Sequence, residues 1–104
     1  MTFDKKVDII TKEISNLLKS KNKAYGNSAL CPANIFSKQS AIDSLCARID
    51  DKLMRIKNKG IYDATEDTVK DLVGYLVLLL IALENQENDS YLDEGPQTSK
   101  NLPN

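Results

Sequence analysis

The chain has 104 residues, 14 Lys and Arg against 15 Asp and Glu, and no histidine. A net charge of −1 argues against general polynucleotide binding, and the missing imidazoles exclude histidine catalysis and His-ligated zinc. The length sets a single small domain, whose surface is large for its core, so association with further copies would help to bury it.

Residues 4–20 place Val7, Ile10, Ile14, Leu17 and Leu18 at helical spacing, with Thr2 or Asp4 as the N-cap, and predict an amphipathic first helix. Residues 21–39 break that pattern with Gly26, Asn27, Ser28, Pro32 and Asn34, and read as a long connection. Lys21, Lys23, Tyr25 and Asn27 there offer ammonium groups, an aromatic face and an amide beside a glycine, a setting suited to an anionic ligand and also to a solvated helix end. A second helix is expected over 40–58, with Ser40 as cap and Gly60 as stop. It carries Ala41, Ile42, Leu45, Cys46, Ile49, Leu53 and Ile56 as an apolar stripe. Arg48, Asp51, Lys52 and Arg55 fall at i, i+3, i+4 and i+7 and read as a charged stripe on the other side.

Residues 61–65 read as a connector, in which Asp63 and Glu66 resemble a capping pair and Thr65 competes as N-cap. Glu66 and Asp67 are expected in the first turn of a third helix running to about Glu84. From Leu72 to Leu83 that helix is apolar all round, too short to span a membrane but too apolar for the edge of a small bundle. Gly74 inside it costs about 1 kcal/mol against alanine, which a close approach of another helix or of a ligand would justify. Residues 85–104 are polar, and we expect a mobile tail beyond a helical domain of residues 1–84. The fold expected is therefore all-α, a small bundle of three to four helices completed by homo-oligomerisation through helix three. Without a signal-peptide pattern, Cys31 and Cys46 are expected to be reduced thiols in a cytoplasm, away from membranes.

Charge is divided unevenly. Residues 1–60 hold 12 Lys and Arg against 6 acids, and residues 61–104 hold 2 against 9. Asp51, Glu66, Asp67 and Asp71 form a candidate metal set; with oxygen donors alone it would select a hard cation such as Mg²⁺. Asp51, Asp67 and Asp71 would then be the catalytic carboxylates, activating a metal-bound water for attack on phosphorus. Lys21, Lys23, Arg48, Lys52 and Arg55 could neutralise phosphates, with arginine the better bidentate partner. Tyr25, Asn27 and Tyr75 complete the candidate nucleotide-binding residues. Ion-paired helix faces would look the same on a helical wheel.

Three blocks resemble the phage-associated nucleotide modification associated domain 1 family: Lys21 to Ser28, Arg48-x-x-Asp51-Lys52-x-x-Arg55, and Glu66-Asp67-Thr68-x-x-Asp71-Leu72-x-x-Tyr75. The resemblance implies a helical nucleotide-binding protein acting in the cytoplasm of an infected or lysogenic bacterium. More distantly, the acidic helix pair is similar to the MazG-type all-α NTP pyrophosphohydrolases, which implies Mg²⁺-dependent processing of a (d)NTP or modified nucleotide. The chain departs from their ExxE and ExxD motifs: the first helix offers only Asp50 and Asp51, and Thr68 stands where a glutamate is required. The alternative is a non-catalytic oligomeric sponge that sequesters a nucleotide second messenger of anti-phage defence. We lean to the processing reading on the expected convergence of Asp51, Asp67 and Asp71, and expect Arg55→Ala to weaken nucleotide binding.

Overall fold

The computed structural model describes residues 1–94, which form three α-helices: α1 (Phe3–Tyr25), α2 (Ala41–Lys59) and α3 (Thr68–Glu94). No strand occurs among the described residues, so the all-α expectation is correct. No helix among them is long and apolar enough to cross a membrane. The local stop and start signals act as their chemistry dictates. Thr2 Oγ1 accepts from the Lys5 amide at 3.2 Å, and Ser40 Oγ from the Asp43 amide at 3.1 Å. Gly60 N–H closes α2 on the Ile56 carbonyl at 2.8 Å.

Two helix C-termini differ from those expected. α1 continues past residue 20 to Tyr25, because nothing in Lys21-Asn22-Lys23-Ala24-Tyr25 opposes a helix. Its first real breaker is Gly26, which takes the left-handed conformation (φ 61°) and is followed by Asn27 (φ 69°). Lys21 and Tyr25 thereby extend the stripe begun by Ile14, Leu17 and Leu18. α3 runs ten residues past Glu84, so residues 85–94 belong to a helix, and no glycine or proline interrupts the chain before Gly95. The remainder of the expected tail, residues 95–104, lies outside the described residues.

α2 and α3 form an antiparallel hairpin. As α2 advances from Lys52 to Arg55, its ionic partners step back from Asp71 to Glu66. α1 crosses this pair steeply: Glu13 and Lys21, two turns apart on α1, reach the adjacent residues Lys70 and Asp71 of α3. The crossing is made at Gly74, as the sequence suggested. A Cβ built there would stand 3.2 Å from Leu18 Cδ2. We therefore expect Gly74→Leu to push α1 off the hairpin and destabilise the fold by about 1–3 kcal/mol, the usual cost of overpacking. Thermal unfolding of the variant beside Gly74→Ala checks this, since alanine asks Leu18 to give by only a few tenths of an ångström and gains helix propensity.

The core is thin. Ile14, Leu45 and Ala82 are the buried apolar residues among those described, and Thr68 is buried with its hydroxyl donating to Glu66 Oε2 at 3.2 Å. Phe3, Val7 and Ile10 on α1, and Val73, Leu76 and Leu80 on α3, are exposed.

Candidate functional site

Where α1 crosses the hairpin, the three helices leave a cavity of about 280 Å³. Its apolar walls are Leu17 and Leu18 from α1, Leu45 from α2, and Gly74 and Leu78 from α3. Polar groups come from three separate stretches of chain: Lys21, Asn22, Tyr25 and Ser28; Arg48; and Asp71 with Tyr75. Each of the three sequence blocks singled out above contributes to this one cavity. Its size lies near the lower end for small-molecule pockets, and the mixture of apolar wall, aromatic ring and a few convergent charges is typical of them.

The charges are arranged in a chain. Asp71 Oδ2 accepts from Lys52 Nζ at 3.3 Å, and Asp71 Oδ1 lies 3.9 Å from Lys21 Nζ. Lys52 also donates to Glu66 Oε2 at 2.7 Å. Its side chain is only 19% exposed, so its ammonium is held between two carboxylates in partly desolvated surroundings. The bond to Glu66 raises the Lys52 pKa above its ordinary value, against the opposing effect of burial and with help from Asp71. The same bond holds the Glu66 carboxyl below its ordinary range. Arg48 lies at the cavity with no ion pair among the described residues.

Several residues expected at the site lie elsewhere. Lys52 and Arg55 are not on an outward charged face opposite the apolar stripe. They turn toward α3 and the loop before it, whereas Leu53 and Cys46 are exposed. Arg55 Nε donates to Asp63 Oδ2 at 2.6 Å, its Nη2 donates to Thr65 Oγ1, and Glu66 lies 3.6 Å away. Asp63 also accepts from the Thr65 amide at 2.9 Å and hydroxyl at 2.6 Å, a local turn that fixes the entry to α3. Its side chain is 4% exposed, and the Arg55 guanidinium, followed by Thr65, holds the carboxyl far below the usual range. Arg55 is therefore a clamp on the α2–α3 connector and does not line the cavity. Asp63, read from the sequence only as a capping residue, is its anchor.

Lys23 is exposed in the last turn of α1, and Asn27 is a turn residue whose carbonyl accepts from the amides of Leu30 and Cys31; neither lines the cavity. Glu66 and Asp67 precede α3 and do not belong to its first turn. The four acids of the candidate metal set do not assemble as expected. Glu66 and Asp71 share Lys52, Asp67 pairs with Lys70 at 3.5 Å, and Asp51 is exposed on α2. No group of three or more carboxylates or thiols close enough to hold a metal exists among the described residues. Glu66 and Asp71 are occupied by Lys52, which a cation placed between them would have to displace. Cys31 and Cys46 are free and exposed.

No protein-family model matches the chain, and neither a curated protein nor a solved structure shows significant similarity to it.

Proposed function

We propose that the protein binds a nucleotide in the three-helix cavity and holds it without chemical change. The base would lie against the leucines and the tyrosines Tyr25 and Tyr75, and the phosphates would meet Arg48 and Lys21. The observation that carries this reading is the convergence of cations, aromatic rings and an apolar wall, drawn from three distant stretches of chain, on one cavity. Arg48 is the natural phosphate partner, because it combines a fork of donors with the absence of an internal ion pair among the described residues. The commitment of Glu66 and Asp71 to Lys52 favours sequestration over magnesium-dependent hydrolysis. In the setting that the sequence resemblance implies, an infected bacterial cytoplasm, such a protein would act as a sponge for a nucleotide signal.

Calorimetry against mononucleotides, dNTPs and cyclic dinucleotides, with and without Mg²⁺, tests the reading. Loss of one charged hydrogen-bond partner costs about 1.5–3 kcal/mol, so Arg48→Ala should weaken binding by about tenfold or more. Arg55→Ala should instead lower stability, because it releases Asp63 and Thr65. Chromatography after denaturation should return the ligand intact. Pyrophosphate appearing only with Mg²⁺ would restore the hydrolytic reading, and silence against the whole panel would remove nucleotide binding altogether.

A further inference from the structure

The face of α3 that points away from the cavity carries Val69, Val73, Leu76, Leu80 and Leu83, which are 41–68% exposed. Their spacing is four, three, four, three, the repeat of a coiled-coil seam, and no polar residue interrupts it. At 3.6 residues per turn these positions lie nearly opposite Asp71, Gly74, Tyr75 and Leu78, the α3 residues at the cavity. A narrow seam of this kind fits another helix. The flanking charges say which one and in which direction: Lys70 and Glu84 occupy equivalent heptad positions two heptads apart, beside the seam. In an antiparallel pair of such helices those equivalent positions face each other across the interface.

We infer that α3 is the interface of a two-fold symmetric homodimer, in which two copies of the seam pack antiparallel. Leu76 of one protomer packs against Leu80 of its partner and Val73 against Leu83, and Lys70 comes beside Glu84. Lys70 is placed for this, since its internal contacts to Glu13 and Asp67 are both at 3.5 Å and its side chain is 37% exposed. A parallel pair would set Lys70 and Glu84 at different heights along the interface and leave each without its complementary charge. The exposed apolar residues at the start of α1, Phe3, Val7 and Ile10, make a shorter seam that ends at the buried Ile14. The cavities face away from the seam, so dimerisation leaves both open, and nucleotide binding is not needed for it.

The test uses the full chain. Light scattering coupled to size exclusion at micromolar concentration should return twice the 11.6 kDa of one protomer. Leu76→Glu should scatter as a monomer with unchanged helical circular dichroism, because the side chain points outward. Independently of that variant's folding, Leu76→Cys and Leu80→Cys are prepared separately with Cys31 and Cys46 replaced by serine. Oxidising either protein alone should give no disulfide dimer, and oxidising their mixture should give a cross-linked heterodimer. A monomeric wild type overturns the proposal, as does a Leu76→Glu protein that remains a dimer. Cross-linking of either single variant with itself overturns the antiparallel arrangement.

Discussion

Leu45→Ala is expected to cost about 2–5 kcal/mol, a large part of the 5–15 kcal/mol by which a typical domain is stable. Leu45 is 1% exposed and is the largest of the buried apolar side chains together with Ile14, in a core that has few others. It is also where the helix hairpin meets the cavity, so truncation enlarges a space that is already there, and the surroundings have little to collapse with. The comparison that isolates burial is Leu80→Ala, with the same atoms removed from a side chain that is 68% exposed. In dilute solution that change should cost far less. Its cost should grow with protein concentration if α3 pairs with α3, because only the dimer buries the position. Urea unfolding of both variants at two protein concentrations measures the two effects. A Leu45→Ala protein as stable as the wild type would mean that Leu45 is not at the centre of the fold.

The parts of this structure that a linear reading reaches are those decided within one turn of helix. Thr2, Ser40 and Gly60 cap or stop their helices through bonds to residues three or four positions away, and their chemistry suffices to place them. The spacing of apolar residues likewise finds all three helices. It misjudges where α1 ends, because Lys21 and Tyr25 look like loop polarity until their register with Leu17 and Leu18 is followed. It misjudges α3 for the opposite reason: the apolar period stops at Leu83, whereas the backbone has no reason to leave the helix there.

The site shows the same division. Lys21, Tyr25, Arg48, Asp71 and Tyr75 were identifiable as candidates from residue type, and the cavity gathers them. What a helical wheel could not tell was which charge belongs to which partner. Lys52 and Arg55 sit one turn apart on α2, and Arg48 one turn before Lys52, yet only Arg48 is at the cavity. Asp63 was invisible as a partner because its pairing with Arg55 depends on how the α2–α3 connector folds back. Asp51, Asp67 and Asp71 do not converge for the same reason: Asp71 is met by Lys52 and Asp67 by Lys70, while Asp51 is exposed on α2.

Lys52→Met should destabilise the protein by about 1–2 kcal/mol near neutral pH, an order-of-magnitude figure for a charged hydrogen bond reduced for partial solvent access. Methionine retains most of the packing of the lysine stem but leaves Glu66 and Asp71, two part-buried carboxylates, without their shared ammonium. The effect has a signature in pH. The bond to Lys52 depresses the Glu66 pKa from its ordinary 4.5, so its stabilising contribution is fully present above that value and is lost as pH falls through the depressed one. Lys52 is shifted the other way, upward from 10.5 by the same bond and by Asp71. Its contribution is fully present below 10.5 and is lost as pH rises through the raised value. The wild type should therefore exceed the variant by a constant margin between these limits, and the margin should shrink beyond them on both sides. Urea unfolding at about pH 3 and about pH 7, at one protein concentration, follows the acid limb. Equal stability of the two proteins at neutral pH would show that Lys52 does not hold α2 and α3 together. A margin unchanged in acid would show that Glu66 is not the carboxylate through which it acts.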